Sequence, residues 1–369
     1  MALRVRRRYR LRDSPHRVQL RFSRECRRGC GGPFGAVPPL AIHPMRILFV
    51  TSMYPTPRFP LRGIVVDRTA EALRSTGQEV EILALGDGSP IRYATARRRV
   101  AAAVERFRPA VVHAHFGYSG AAVPTLSVPL VTTFYGDDLN GTWRSSGGLT
   151  WKSRIGIVVS QWVAWRSTRC VAVSRQLREK LWTPALRRKT TVIRDAVRFD
   201  LFRPLARDLA RARLRLGKDE VLIMFPHDAS QATKRVWLAE GAVCELQKRN
   251  PRARLWIVNG KPADEMPWYY AAADVMIVTS ALEGGPSSVK EALACGVPVI
   301  SVPVGDLEMF NETAGGMYAA HPTPLALADA LGRALDQRDL TKKCLLPREF
   351  ELSEAAERLM RLYREAGAS

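Results

Sequence analysis

Two carboxylates stand eight residues apart in the segment EGGPSSVKEALACG, which runs from Glu283 to Gly296. The first half of this segment is typical of a tight polar loop, and the second half of a short helix that contains Glu291. The amides of a first helical turn favour an anion such as phosphate, whereas carboxylates accept hydrogen bonds from paired hydroxyl groups. The segment predicts a ligand with both features, such as a nucleotide-sugar, although for the spacing alone a surface loop and a solvated helix face are the more ordinary explanation.

The elements that must position this segment follow a βα alternation from Met45 onward, which favours parallel sheets. Helices are predicted at 66–77, which ends on a glycine suited to the C′ position, and at 235–250. The predicted strands fall into two groups, 46–52, 79–85, 110–115, 129–135, 170–174 and 190–195, then 221–226, 254–259, 274–280 and 298–303. The fold class is therefore α/β, with two doubly wound, Rossmann-like domains that face each other across a cleft.

The net charge of +22 is unevenly distributed, because residues 1–44 carry eleven Arg, no Lys and only Asp13 and Glu25 as acids. This segment lacks apolar periodicity and the apolar core of a signal peptide. We interpret it as a basic, disordered leader or a start-site artefact, with a nucleic-acid-binding or lipid-binding arm as the alternative. No nucleic-acid partner is predicted for the chain.

Neither a zinc site nor a membrane-spanning helix is predicted. Cys26 and Cys30 lie close together, but no second pair of His or Cys ligands follows them. The longest apolar run, 155–165, contains Ser160 and Gln161 and is flanked by arginines, so it falls short of a bilayer span.

Three stretches resemble one family. Residues 272–308 resemble the donor-binding region of the group 1 (family 4) retaining glycosyltransferases of GT-B fold, and 45–82 and 111–141 resemble the acceptor-side domain of that family. The bacterial teichuronic-acid and envelope-polysaccharide enzymes are the nearest type. The resemblance implies an N-terminal acceptor-side domain at 45–205, a C-terminal nucleotide-sugar-binding domain at 206–345, and a C-terminal helix, 346–369, that crosses back to the first domain.

The resemblance also implies roles for the donor-site residues. Glu283 would bind the hydroxyls of the donor sugar and Glu291 the ribose, while the amides near the start of the helix would hold the diphosphate. Lys234 matches the family lysine at the diphosphate. The other implied donor-site positions are Gly63, Gln231, Gly284, Gly285, Ser287, Ser288 and Val289.

The chain departs from the family pattern at two of its polar positions. Gln231 stands where the family has an arginine against the diphosphate, and Arg235 or His227 are the candidates to compensate. Tyr135 stands where many relatives have a histidine, and its ordinary pKa near 10 makes it a poor general base. Asp138, which matches the family aspartate, completes the predicted catalytic set of Lys234, Glu283, Tyr135 and Asp138.

His113 and His115 are two residues apart on one strand, which alone would also suit a metal pair. The resemblance instead implies that they line the acceptor side of the cleft together with Tyr135. The chain has no Asp-x-Asp motif. We therefore expect metal-independent chemistry with no cofactor, in which a helix end and Lys234 replace a magnesium ion.

The acceptor is predicted less sharply, as a glycan or a polyprenyl-linked sugar. Residues 151–169 combine tryptophans, aliphatics and arginines in a helical pattern that suits an anionic membrane surface, although a helix with a basic outer face packed on the first sheet explains it too. The expected location is cytoplasmic, peripheral on the inner face of the plasma membrane. The segment 192–202 departs from the family hinge and leaves the closure of the domains open.

Three functions remain from the sequence alone. The leading one is an active retaining glycosyltransferase in cell-envelope polysaccharide synthesis. The second is a weakly active or inactive relative that binds nucleotide or glycan as a partner in an envelope-synthesis complex, which Gln231 and the altered hinge motivate. The third, a basic nucleic-acid binder, depends on residues 1–44 alone.

Overall fold

The structure, a computed structural model, describes residues 44–57, 59, 62–86, 90–142, 148–307, 316–337 and 343–368. The predicted leader at 1–44, including Cys26 and Cys30, therefore lies outside the described residues except for Pro44.

The first sheet is parallel and has six strands in the order β2-β1-β3-β4-β5-β6. Its strands are β1 (Arg46–Thr51), β2 (Glu79–Ala84), β3 (Val111–His115), β4 (Leu130–Phe134), β5 (Arg169–Ala172) and β6 (Thr190–Val192). The helices connected with it are α1 (Ile64–Ser75), α2 (Pro90–Phe107), α3 (Gly117–Ala122), α4 (Asp137–Asn140), α5 (Trp151–Arg166), α6 (Arg175–Glu179) and α7 (Pro184–Arg188).

The second sheet is parallel too and has five strands in the order β11-β10-β9-β7-β8. Its strands are β7 (Val221–Phe225), β8 (Ala253–Ile257), β9 (Val275–Val278), β10 (Val299–Ser301) and β11 (Met317–Ala319). Its helices are α8 (Arg207–Leu214), α9 (Val236–Gln247), α10 (Met266–Ala272), α11 (Ser287–Ala294) and α12 (Pro324–Asp336), and the last helix of the chain is α13 (Leu352–Glu365).

Both sheets are doubly wound, which confirms the predicted fold class. The strand order reverses between β1 and β3 in the first sheet and between β7 and β9 in the second, and a ligand belongs at such a switch point. Each of the predicted strands is present. The strand β11 was not predicted, because its sequence, Met-Tyr-Ala, contains no β-branched residue. The helix predicted at 66–77 is α1, and Gly77 follows it with φ +84°.

The helix α13 packs on the first sheet rather than on the second. Leu359, Met360 and Tyr363 share a buried apolar cluster with Ile47 of β1 and Val66 of α1. The Tyr363 hydroxyl also lies 2.6 Å from Nδ1 of His113 in β3. The end of the chain therefore braces the strand that leads to the cleft.

Candidate functional site

A cavity of about 470 Å³ lies between the two sheets, at the carboxyl ends of their strands. This volume is within the range of pockets that hold small-molecule ligands. The first domain contributes Met53, Gly63, Val65, Phe116, Tyr135, Gly136, Asp137, Asn140, Gly141, Thr142 and Asp195, and the second domain contributes Gln231, Thr233, Lys234, Leu282, Glu283, Gly284 and Gly285. The structure thus brings six of the predicted donor-site positions to one cavity, namely Gly63, Gln231, Lys234, Glu283, Gly284 and Gly285.

An ion pair joins the two predicted polar groups of the second domain. Lys234 lies in the 3₁₀ turn Ala232–Lys234, and its Nζ is 2.7 Å from Oε1 of Glu283, which follows β9. The carbonyl of Lys234 accepts a hydrogen bond of 2.7 Å from the Thr279 hydroxyl, which fixes the turn against the end of β9. An ammonium and a carboxylate are therefore presented together, suited to a phosphate and to sugar hydroxyls.

Neither Arg235 nor His227 supplies the positive charge that is missing at the Gln231 position. The Arg235 guanidinium donates to the carbonyls of Thr279 and Ser280, at 2.6 and 3.1 Å, and so serves the loop. Burial, with Lys234 adding to it, lowers the pKa of His227 to about 4, so this imidazole is neutral near pH 7.

The glycine loop, Gly284 and Gly285, packs against the backbone of the first domain. A Cβ placed on Gly284 would lie 1.7 Å from the carbonyl oxygen of Tyr135. Its neighbour Gly285 faces Val173, where an added Cβ would be 3.4 Å from the nearest atom. Only the first of these glycines is required by the packing of one domain against the other.

Gly63 is required on the opposite wall. It precedes α1 with φ +68°, and a Cβ there would lie 2.2 Å from the carbonyl oxygen of Met53.

Across the cleft, α11 begins at Ser287, with Pro286 before it and no side chain capping its first amides. The first-turn amides of Ser287, Ser288 and Val289 therefore keep the unpaired geometry that suits an anion.

Glu291 is engaged by protein groups. Its Oε1 lies 2.8 Å from the Arg68 guanidinium of α1, and its Oε2 accepts a hydrogen bond of 3.0 Å from the Tyr270 hydroxyl. The predicted ribose carboxylate is thus also one half of a buried ion pair across the cleft, a partnership that sequence spacing does not indicate.

The two histidines lie behind the wall of the cleft. His113 and His115 are fully buried and stacked, with ring centroids 4.2 Å apart. Nδ1 of His115 is 2.7 Å from the hydroxyl of Tyr135, and Tyr135 itself lines the cavity. Burial raises the pKa of Tyr135 well above 10, which agrees with its expected weakness as a base. His115 braces Tyr135, and neither imidazole lines the 470 Å³ cavity.

Acidification is expected to destabilise the protein through His113. Burial lowers its pKa from 6.5 to about 3, so between these values the unfolded state binds more protons and stability falls as the pH falls. His113→Gln should reduce the loss of unfolding free energy between pH 7 and pH 5 by about 2 kcal/mol. Urea unfolding at the two pH values measures this, with His321→Gln, at an exposed position, as the control. An unchanged pH dependence in His113→Gln would contradict the assignment.

Asp138 positions the loop, and its neighbour faces the cavity. The Asp138 carboxylate accepts hydrogen bonds of 2.8 Å from the amides of Gly117 and Tyr135, and burial raises its pKa to about 6. Asp137 lines the 470 Å³ cavity, from which Asp138 is absent. Phe116 stands at the same wall with φ +75°, a strained backbone of the kind that marks functional sites. Asp137 was not predicted from the sequence, because the backbone geometry of the turn after β4 decides which of the two adjacent aspartates faces the cavity.

The altered hinge segment carries charges that pair across the cleft. Arg194 lies 3.3 Å from Asp306, whose carboxylate also accepts hydrogen bonds from the amides of Arg175 and Gln176 at 2.5 and 2.9 Å. The next residue, Asp195, accepts a hydrogen bond of 3.0 Å through its carbonyl from the buried Lys290. An ion pair and a charged hydrogen bond from this segment thus join the two domains.

Within the described part of the chain, no cluster of three or more His, Cys, Asp or Glu side chains is arranged to hold a metal ion. The described helices include none that is long and apolar enough to cross a bilayer.

Two family models match the chain. The model for glycosyl transferases group 1 matches residues 239–345, within the second sheet and its helices, and the model for glycosyltransferase family 4 matches residues 63–201, within the first.

Similar proteins span most of the chain. TuaC of Bacillus subtilis (strain 168), which bears the name of a teichuronic acid biosynthesis glycosyltransferase, is 23% identical, and the match covers 78% of this chain and 89% of TuaC. A D-inositol 3-phosphate glycosyltransferase of Thermobispora bispora is 26% identical over 73% of each chain.

Solved structures share the fold. Sucrose-phosphate synthase from Thermosynechococcus elongatus has a TM-score of 0.63 and 18% identity, covering 88% of this chain and 99% of that one. Anabaena Alr3699/HepE in complex with UDP and glucose has a TM-score of 0.64 and 15% identity, covering 87% of this chain and all (100%) of the other. At this identity the likeness establishes the GT-B fold.

Proposed function

Because the chain belongs to the group 1 (family 4) glycosyltransferases of GT-B fold, we propose that it moves a sugar from a nucleotide-sugar to an acceptor hydroxyl with retention of configuration. One observation carries the proposal: Lys234, Glu283 and the glycine loop meet in one cavity beside the start of α11. This set offers a cation and amides to a diphosphate and a carboxylate to a sugar.

The proposed reaction needs no protein base. The acceptor oxygen bonds to the anomeric carbon on the face that the diphosphate leaves, the bond from that carbon to the phosphate oxygen breaks, and the acceptor proton passes to a diphosphate oxygen. Lys234 and the amides of α11 stabilise the negative charge that develops on the leaving group. Glu283 orients the sugar, and Glu291 would bind the ribose alongside its contacts with Arg68 and Tyr270. We expect no cofactor and no metal.

The acceptor is proposed to be a glycan or a polyprenyl-linked sugar of the cell envelope, used at the inner face of the plasma membrane. The name of TuaC supports an envelope polysaccharide. A second cavity of about 450 Å³ on the first domain offers room for the acceptor, and it shares Met53, Phe116, Asp137 and Thr142 with the first. We assign Asp137 to the acceptor side of the joined cavities.

A panel of nucleotide-sugars tests the proposal. Purified protein is incubated with uridine, guanosine, thymidine and adenosine conjugates, and release of nucleoside diphosphate is followed by mass spectrometry. Transfer to an added lipid-linked or free glycan, with the α or β configuration of product and donor read by NMR, tests retention. Absence of both binding and turnover with every conjugate would overturn the proposal.

A weakly active or inactive binding partner is the second candidate function, and Gln231 favours it. Gln231 lines the cavity at the entry of the turn that carries Lys234, where a cation would reach the diphosphate. Gln231→Arg is expected to raise kcat about tenfold or more if the missing charge limits the rate. Initial rates at saturating donor measure this. If the wild type is inert and Gln231→Arg is active, the wild-type protein acts as a binding partner rather than an enzyme. Equal rates show that catalysis does not need an arginine at this position.

A further inference from the structure

The helix α5 exposes large apolar side chains to solvent, whereas an ordinary surface helix buries them. Its buried residues are small or polar, namely Gly156, Ser160, Gln161, Val163 and Ala164. The side-chain amide of Gln161 bonds to the backbone between α6 and α7. It donates to the Lys180 carbonyl and accepts a hydrogen bond from the Trp182 amide. The large apolar side chains of α5 therefore have to face outward.

These outward side chains form one stripe. Trp151, Ile155, Val158, Trp162 and Trp165 are 61%, 49%, 53%, 43% and 71% exposed. At 3.6 residues per turn they fall within an arc of about 80° and along about 21 Å of helix. Exposed tryptophans and aliphatic side chains in such a stripe suit the headgroup region of a bilayer.

Cations border the stripe at both of its ends. The Lys152 ammonium lies 5.7 Å from the ring centroid of Trp151, and the Arg166 guanidinium lies 4.7 Å from that of Trp162. From residue 151 to residue 189 the chain has ten Lys and Arg against the single acid Glu179. An apolar face rimmed by cations is complementary to a bilayer with anionic headgroups, whereas a protein partner would have to match both features at once.

The helix that carries the stripe also lines the cavity proposed for the acceptor. Lys152, Ser153 and Gly156 of α5, on a different side of the helix from the stripe, line the 450 Å³ cavity together with Arg62. A lipid-linked acceptor with its chain in the bilayer would therefore extend its sugar past α5 toward Asp137.

We propose that the outer face of α5 docks the protein on an anionic phospholipid bilayer. The link between docking and a lipid-linked acceptor rests on the proposed function. The docking itself does not, because it involves no sugar transfer. The tryptophans enter the headgroup region, and the bordering cations contact lipid phosphates.

Vesicle flotation with the full-length protein tests the docking. Vesicles of phosphatidylcholine and phosphatidylglycerol are used in 0.5 M NaCl, which weakens long-range attraction of the lipids to the eleven arginines of residues 1–44. Trp165→Gln should weaken binding about tenfold, and Trp151→Gln with Trp165→Gln about a hundredfold, as expected for lost apolar burial. Trp237→Gln, at a tryptophan of α9 that is as exposed as Trp151 (61%), is the matched control and should bind like the wild type.

Two results would overturn the proposal. One is equal flotation of the wild type and Trp165→Gln. The other is a concentration-dependent dimer in sedimentation that Trp165→Gln dissolves while vesicle binding stays absent, because the stripe is then an interface between copies. Hydrolysis of a nucleotide-sugar without lipid should be the same in the wild type and Trp165→Gln. This readout separates a failure of docking from a failure of the proposed function.

Discussion

Lys234→Ala is expected to lower kcat about 100- to 1000-fold, the cost of removing one preorganised charged donor from a developing anion. Among the described residues that line the 470 Å³ cavity, Lys234 is the one cationic side chain. Since Gln231 is neutral and His227 carries a pKa of about 4, no other side chain of this wall takes over its charge near pH 7. The chain therefore depends on Lys234 more than a relative that keeps the arginine.

Steady-state rates at saturating donor measure this prediction. Lys248→Ala is the matched control, because Lys248 is a lysine on the same domain that pairs at the surface with Glu245. Lys234→Arg, which keeps the charge, should recover part of the rate. A variant Lys234→Ala with an unchanged kcat and a raised KM would show that the lysine binds substrate and transition state equally, against the role proposed here.

The fold could be predicted from the sequence because its strands are buried on both faces. The runs 47–50 and 221–225 are continuously apolar, and the structure places β1 and β7 inside their sheets, each between two other strands. The edge strand β11, Met317–Ala319, contains no β-branched residue, so its sequence carries only a weak strand signal.

The donor site could be predicted where its residues lie in the loops that follow strands of a single sheet. Glu283, Gly284 and Gly285 directly follow β9, and Lys234 follows β7, so the parallel sheet brings these loops to one edge. Partners that come from the other domain could not be predicted in this way. The pairing of Arg68 with Glu291 joins residues 223 positions apart, and no spacing encodes such a contact.

Gly284→Ala is expected to lower kcat/KM about 100-fold, because the methyl group would force the domains apart by about 1 Å or more. Its Cβ would stand 1.7 Å from the carbonyl oxygen of Tyr135 and 3.0 Å from Cα of Gly136. These are backbone atoms at the end of β4, so no rotamer change relieves the clash. The groups proposed to hold the diphosphate belong to the second domain, and nucleotide affinity should therefore fall much less than the rate.

Gly285→Ala separates closure from a general sensitivity of the loop. Its added methyl group would contact Val173 at 3.4 Å, close to an ordinary van der Waals distance, and we expect activity within about threefold of the wild type. Calorimetric titration of the nucleotide and small-angle scattering should show retained binding and a larger radius of gyration for Gly284→Ala alone. If both alanine variants lose activity equally and neither expands, the loop acts through its own backbone freedom, and contact with Tyr135 is not what sets the rate. If Gly284→Ala alone expands and slows, the ion pairs of Arg68 and Arg194 cannot hold the cleft against one misplaced methyl group, and closure depends on the glycine.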